Sequence, residues 1–177
     1  MKIVAFAGSN SKKSINKQLA TYAASLFDNA DVEVLDLNDY EMPIFSIDDE
    51  KESGQPKEAQ AFLDKIAEAD FLILSLAENN GNYSAAFKNV FDWSTRLKKE
   101  VFQHKPMLLM ATSPGGRGGK SVLELAEKSL AFYGGNIKGT YSLPEFYQNF
   151  DEAKGIISSE EYNNYLKEIV QGIQKQL

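Results

Sequence analysis

Residues 2–16 of the 177-residue chain read KIVAFAGSNSKKSIN. The continuous apolar run Ile3–Ala7 is typical of a strand that is covered on both faces of its sheet. After it, Ile15, Leu19 and Ala23 recur at the spacing of an amphipathic helix. The stretch therefore predicts a buried strand, a loop rich in serine, and a helix that packs back against the sheet.

The same alternation of apolar runs and amphipathic stretches continues along the chain. Four further strands are predicted at Val32–Leu37, Phe71–Ala77, Met107–Thr112 and Ile137–Leu143. The second strand contains acidic residues and therefore suits an edge of the sheet. Further helices are predicted over residues 57–69, 84–97, 120–132 and 159–176. Five such units predict one α/β domain, residues 1–177, with a parallel sheet and helices on both faces.

A polar segment of 19 residues, Asn38–Pro56, separates the second strand from the next helix. It contains a small apolar island, Met42–Phe45, and a run of charged residues, Asp48–Glu52, which we interpret as a solvated loop. Loops of this length are uncommon in compact domains unless they have a function, so the segment is a candidate lid.

The composition excludes several kinds of active site. The chain has no cysteine and one histidine, so it lacks thiolate nucleophiles, disulfides, iron–sulfur clusters and sites built from two imidazoles. The histidine, His104, precedes the fourth predicted strand and should lie at the end of the sheet opposite the loop serines, which argues against a serine hydrolase. The run of acidic residues at 48–50 is not a metal-ligand pattern, and no metal site is expected.

The charge and hydropathy of the chain bear on its partners and location. The net charge of −6 argues against nucleic acid as a partner, because binding to phosphate backbones depends on clustered basic charge. The longest apolar stretch, Phe71–Ala77, is far shorter than the roughly 18 residues of a membrane helix. No signal sequence is recognisable, and a cytoplasmic protein without membrane partners is expected.

Three loops follow predicted strands and are rich in glycine, serine and asparagine: Gly8–Asn16, Glu78–Tyr83 and Ser113–Gly119. Ligands of open parallel sheets bind beyond the carboxyl ends of the strands, which is where these loops should lie. The first loop combines hydroxyl groups with a helix N-terminus, which suits an anion such as a phosphate. The simpler alternative is that Ser11 or Ser14 only caps the helix.

The other two loops offer different chemistry. Amides around Gly81 can hydrogen-bond the edge of a planar heterocycle, although for this loop taken alone a plain turn is the favoured interpretation. Glycines around Arg117 permit close approach of a flat ligand, and the guanidinium can face a phosphate or an electron-rich ring edge. Two loop aromatics, Phe45 and Tyr83, are candidates to cover a ring, whereas Trp93 continues a buried helix stripe.

Together these loops resemble the NAD(P)H-dependent FMN reductase family of flavodoxin-like proteins, which includes quinone, azo-dye and chromate reductases. The family pattern G-S-x-R-x-x-S-x-N is matched at Gly8, Ser9, Ser14 and Asn16, with Ser11 in place of the arginine. The resemblance implies that Lys12 or Lys13 replaces the missing charge.

Two more signatures extend the resemblance over roughly residues 1–140. The pattern P-E-Y-N followed by L-K-N-A-x-D-W is matched at Glu78, Asn80, Lys88, Asn89, Asp92 and Trp93, whereas Ala77, Asn79 and Ser84 depart from it. The glycine-rich loop is matched at Ser113, Gly115, Gly116, Gly118 and Gly119. The island at Met42–Phe45 falls where the family has L-P-x-[YF].

The resemblance implies a fold, a function and a site. The fold is a flavodoxin-like three-layer α/β/α sandwich with a five-stranded parallel sheet of order 2-1-3-4-5. The function is transfer of hydride from NAD(P)H, the co-substrate, to bound FMN and on to a quinone-like or other small electron acceptor, by a homodimer or homotetramer. No catalytic side chain is expected. The implied cofactor-binding residues are Ser9, Ser11, Lys12, Ser14, Ile15 and Asn16 at the phosphate, and Glu78, Asn79, Asn80, Gly81, Ser113, Gly115, Gly116 and Arg117 at the ribityl chain and ring.

Two other functions stay open. A flavodoxin-type electron carrier also binds FMN, but the T-x-T-G-x-T loop and flavin-sandwiching aromatics of such carriers are missing here. A non-enzymatic binding protein with weakened flavin affinity is the second alternative. NADH and NADPH are both compatible with the residues.

Overall fold

Five long strands of the computed structural model, which describes residues 1–177, form one parallel sheet. The strands in chain order are β1 (Lys2–Gly8), β2 (Asp31–Leu35), β3 (Phe71–Leu76), β4 (Glu78–Asn79), β5 (Asn82–Tyr83), β6 (Pro106–Thr112), β7 (Asn136–Leu143), β8 (Phe150–Asp151) and β9 (Ile156–Ile157). The α-helices are α1 (Ile15–Ser25), α2 (Ile47–Ser53), α3 (Lys57–Glu68), α4 (Ala85–Leu97), α5 (Lys120–Ser129), α6 (Phe146–Asn149) and α7 (Glu160–Gln174). Two 3-10 turns cover Leu37–Tyr40 and Leu130–Tyr133.

The sheet has the order β2-β1-β3-β6-β7, with every pairing parallel. The predicted flavodoxin-like order 2-1-3-4-5 and the edge position of the second strand are thereby confirmed. The three central strands are almost entirely buried because they are apolar on both faces. Short antiparallel hairpins, β4–β5 and β8–β9, stand outside the sheet.

Helices cover both faces and complete the predicted three layers. Alternate residues of β1 face opposite sides, so Phe6 belongs to the core on the face covered by α3, α4 and α5, while Ala5 belongs to the core on the face covered by α1 and α7. Helices α1 and α4, which flank the ligand loops, each begin at a capping serine. Ser14 Oγ accepts the N–H of Lys17 (3.1 Å) at the start of α1. Ser84 Oγ accepts the N–H of Phe87 (3.1 Å) at the start of α4.

The candidate lid is anchored to α4, which corrects the expectation of a long free loop. The side-chain amide of Asn89 accepts the N–H of Phe45 (2.8 Å) and donates to the carbonyls of Met42 and Pro43. The indole Nε1 of Trp93 donates to the same Pro43 carbonyl (2.8 Å). Two motifs noted separately in the sequence therefore form one structural unit.

The charge run is helix α2, so its interpretation as a loop is wrong. Ser46 Oγ caps the helix by accepting the N–H of Asp49 (3.0 Å), and acidic residues in the first turn suit the helix dipole. Glu50 accepts from Arg96 of α4 (2.9 Å), whereas most of its neighbours are exposed. No apolar periodicity marked this helix because it buries no side chain.

The single histidine lies where the sequence placed it, before β6 and thus at the amino end of the sheet. It is exposed, and its Nε2 lies 3.1 Å from a carboxylate oxygen of Glu100. The serines of the ligand loops lie at the opposite end. Separately, none of the helices has the length and hydropathy needed to cross a membrane.

Replacing Asn89 by alanine should destabilise the protein by about 1–2 kcal/mol, because three hydrogen bonds to the 42–45 backbone are lost. The matched control is Lys88→Ala, which removes only a solvent-exposed ion pair with Asp92 and should change stability by less than about 1 kcal/mol. Urea unfolding measures both. Equal midpoints for the two variants would show that the anchor contributes nothing.

Candidate functional site

A cleft of about 230 Å³ opens at the carboxyl ends of β1, β3 and β6. It is lined by Ser9, Ser11, Lys13, Ser14, Ile15, Asn16, Ala77, Glu78, Asn79, Thr112, Ser113, Pro114 and Tyr147. The structure thus brings together residues of all three loops that were predicted to lie beyond the carboxyl ends of the strands and to bind a ligand there. The cleft lies at the β1/β3 switch point, where the connections leave the sheet in opposite directions.

Asn16 locks the first loop onto the ends of two other strands. Its side chain is buried, and its Oδ1 accepts from Ser75 Oγ (2.7 Å) and from the N–H of Thr112 (3.0 Å). Its Nδ2 donates to the carbonyl of Thr112 (3.1 Å). These bonds engage Oδ1 and one Nδ2 hydrogen inside the protein, and the backbone N–H of Asn16 makes no hydrogen bond within the protein.

The first loop turns its remaining donors toward the cleft. The N–H of Ser14 donates to Ser11 O, and that of Ser11 donates to Ser9 Oγ. The N–H groups of Ile15 and Asn16, in the first turn of α1, make no hydrogen bond within the protein. Hydroxyls, free N–H groups and a helix start without acidic residues together suit a phosphate.

Of the two lysines considered as substitutes for the family arginine, the structure puts Lys13 at the cleft. Lys12 instead borders a neighbouring cavity. Ser11, at the arginine position, is exposed on the cleft wall. A single lysine charge therefore lies at the cleft, beside N–H donors of the loop.

The second loop is the hairpin β4–β5. Asn80 and Gly81 form its tip with φ of 53° and 76°, the left-handed pair that a type I′ turn requires. The turn interpretation of these residues is confirmed, and both lie outside the cleft lining. Glu78 and Asn79, at the base of the hairpin, do line it.

Two hydrogen bonds hold the base of this hairpin. Glu78 Oε2 accepts the N–H of Val122 (3.1 Å) in the first turn of α5, whose N-cap is Gly119 and offers no side chain. At the other end, Ser84 Oγ donates to Gly8 O at the end of β1 (2.7 Å). The hairpin is therefore tied both to α5 and to the sheet.

Neither candidate ring-covering aromatic lines the cleft. Phe45 packs edge-on against Trp93, with ring centroids 5.0 Å apart. The phenol of Tyr83 lies 2.7 Å from Ser129 Oγ, and burial raises its pKa. The exposed aromatic at the cleft is Tyr147, which follows β7 and belongs to no motif.

The third loop is clamped by the segment after β7. The N–H groups of Glu145 and Phe146 donate to the carbonyls of Gly115 (3.0 Å) and Ser113 (3.1 Å). Ser113 lines the cleft, whereas Gly115 lies just beyond its edge. The carbonyls of this loop are thus directed away from a ligand.

The exposed part of the third loop extends past the cleft. Gly116 borders another cavity, and Arg117 is exposed with its Nη2 donating to Ser121 Oγ (2.9 Å). Neither residue lines the cleft itself. The hydrogen bond to Ser121 points the Arg117 side chain along α5.

The four glycines of this loop serve two purposes. Gly118 and Gly119 have positive φ, and a Cβ on them would lie 2.5 Å from Ser142 Oγ and 2.8 Å from Ala111 Cβ. The fold itself thus requires glycine at both positions. A Cβ on Gly115 or Gly116 would meet nothing within 4 Å, so these two leave an open surface beside the cleft.

Gly118→Ala should therefore destabilise the protein by about 2 kcal/mol or more, because positive φ alone costs about 1–2 kcal/mol for a residue with a Cβ. Gly116→Ala, in the same loop but in open space, should stay within about 1 kcal/mol of the parent. Thermal unfolding compares the two. If Gly116→Ala lowered the unfolding temperature more than Gly118→Ala, the conclusion that the fold requires glycine at position 118 would be wrong.

Comparison with known proteins gives consistent results. The family model described as NADPH-dependent FMN reductase matches residues 1–148. A 2-hydroxy-1,4-benzoquinone reductase of a Burkholderia species is 32% identical over 178 residues, covering 94% of this chain and 91% of the relative. An NADPH:quinone oxidoreductase of Arabidopsis thaliana is 29% identical, covering 98% and 90%. The solved flavoenzyme NAD(P)H:(acceptor) oxidoreductase of Paracoccus denitrificans shares the fold, with a TM-score of 0.73, 23% identity and coverage of 98% and 97%.

Proposed function

The chain belongs to the NADPH-dependent FMN reductase family, and from this premise we propose how its cleft serves an FMN-dependent oxidoreductase. The observation that carries the proposal is the meeting of three motif loops in one cleft at the β1/β3 switch point. The reaction is transfer of hydride from NAD(P)H to FMN and onward reduction of a quinone-like or other small acceptor. Two matched relatives are quinone reductases by name.

The first loop holds the FMN phosphate in this proposal. Its N–H groups at Ile15 and Asn16 are free to donate, and the Ser9 and Ser11 hydroxyls lie beside them. Lys13 adds a full positive charge at the same cleft. Charge-assisted hydrogen bonds of this kind are stronger than neutral ones, which offsets the loss of the family arginine.

The cleft is too small to enclose a whole FMN molecule, so the third loop beside it would hold the ring. A volume of about 230 Å³ is below the roughly 300–1,000 Å³ typical of pockets that enclose a whole ligand. The residues placed to hold the phosphate and ribityl end would be those of the first loop, with Glu78 and Asn79 on one side of the cleft and Ser113 on the other. Gly115 and Gly116, where an added Cβ would meet nothing within 4 Å, would leave room for a flat ring beside it.

The chemistry that bound FMN supplies is hydride acceptance from a nicotinamide and delivery of electrons to the acceptor. The protein binds and orients, and needs no titrating base. Backbone N–H groups of the third loop would stabilise negative charge at the ring edge, and the guanidinium of Arg117 would do so if it turned from Ser121 toward the ring. Arg117 makes one hydrogen bond to Ser121, which leaves other donors of its guanidinium available.

We further propose that residues 1–177 act as one flavodoxin-like domain, in a cytoplasmic homodimer or homotetramer, as the family resemblance implies. Size-exclusion chromatography with light scattering measures the assembly. A monomer at micromolar concentration would contradict it.

An absorbance scan with and without added FMN, followed by NADPH or NADH oxidation with benzoquinone as acceptor, tests the function. We expect a yellow FMN complex whose nicotinamide oxidation depends on the acceptor. An FMN complex that consumes no nicotinamide would indicate an electron carrier instead. A protein that stays colourless with FMN would indicate a binding protein without flavin.

Ser14→Asp should weaken FMN binding at least about tenfold, because it puts a carboxylate beside the phosphate. Aspartate caps helices as well as serine does, so α1 should remain intact. Ser14→Asn is the matched neutral cap and should bind FMN far better than the aspartate variant. Fluorescence quenching of FMN measures both affinities. Equal affinities of the two variants for FMN would show that the FMN phosphate does not bind at this loop.

A further inference from the structure

A second, larger cavity of about 580 Å³ lies beside the cleft. Its lining consists of Lys12, Lys13, Ser14, Lys17, Gln18, Thr21, Glu152 and Gly155. Lys13 and Ser14 belong to both cavities, so the two are neighbours along the start of α1. Because no apolar side chain lines the second cavity, it does not suit a quinone or another hydrophobic ring.

The charge around this cavity is opposite to that of the whole protein. Residues 1–27 contain four lysines and no acidic residue, whereas the chain carries a net charge of −6. Three of those lysines line the cavity. Lys12 and Lys13 are exposed and form no ion pair, and their like charges repel each other unless an anion lies between them.

The acidic residues near the cavity are already engaged. Lys17 donates to Asp36 (2.7 Å), and that ion pair holds the pKa of the Asp36 carboxyl below its usual value. Glu152, on the β8–β9 hairpin, accepts from Gln18 Nε2 (2.9 Å). Only Glu152 among the lining residues is acidic, so the lining keeps an excess of positive charge.

We propose that this basic cavity binds a phosphate group distinct from the cofactor phosphate in the cleft. Lys12, which lines this cavity and not the cleft, supplies the main charge; Lys13 is shared with the cleft, and Glu152 limits the affinity. Two sources have this chemistry: the 2′-phosphate of NADPH, which rests on the proposed function, and a free phosphate or another phosphorylated small molecule, which does not.

The first test is calorimetric titration of the FMN-saturated protein with inorganic phosphate and with 2′,5′-ADP at low ionic strength. FMN saturation fills the cleft, so heat of binding reports the second cavity. If the protein takes up no FMN, the proposed function fails, and the titration without FMN then tests the cavity through the Lys12 and Glu152 variants, because these two residues line the second cavity and not the cleft. Added salt should weaken the binding because the lysines are exposed.

Three variants locate the site. Lys12→Gln should weaken binding of the probes about threefold or more, and Glu152→Gln should strengthen it by a similar factor, as expected for one charge a few ångströms away in water. A gain of affinity in Glu152→Gln is a result that misfolding does not produce. Lys99→Gln removes one exposed positive charge after α4, at the opposite end of the sheet, and should bind like the parent.

Steady-state kinetics then separate the sources. A KM for NADPH that rises relative to that for NADH in Lys12→Gln, and falls relative to it in Glu152→Gln, assigns the cavity to the 2′-phosphate. Probe binding that follows the variants while the ratio of the two KM values stays constant assigns it to a free phosphate or another phosphorylated molecule. Absence of probe binding, or binding that none of the cavity variants changes, overturns the proposal.

Discussion

The side-chain amide of Asn16 is the interaction on which the cleft depends. It joins the first turn of α1 to the end of β3 through Ser75 and to the end of β6 through Thr112. With donor and acceptor both engaged inside the protein, the amide holds the helix start in one position relative to the sheet. The free N–H groups of that turn then face the cleft.

The other loops are held by the same kind of contact, between a polar group of one loop and the backbone of another element. Glu78 accepts from the first turn of α5, and Ser84 donates to the end of β1. Glu145 donates its N–H to Gly115 O. Hydrogen bonds to backbone groups thus position a binding surface in a chain that lacks cysteine and keeps its histidine at the far end of the sheet.

Much of the fold could be predicted from the sequence because buried strands and helices leave a recognisable pattern of apolar residues. The central strands are continuous apolar runs, and strand order places the three loops at one edge. Helix α2 was missed since it buries no side chain and shows no apolar period. The side-chain role of Asn16 was missed because Thr112, its partner, is 96 residues away. Tyr147 lies outside every motif, so only the folded chain brings it to the cleft.

The acidic composition and the anionic cofactor are reconciled by where the charges lie. Lysines cluster around the start of α1, while residues 1–27 hold no carboxylate side chain.

We propose that the cofactor is held chiefly by its phosphate at the start of α1. Fluorescence titration with FMN and with riboflavin, which lacks the phosphate, tests this directly. Riboflavin should bind at least about tenfold more weakly than FMN, because it loses one or more charge-assisted hydrogen bonds. Equal affinities would contradict it.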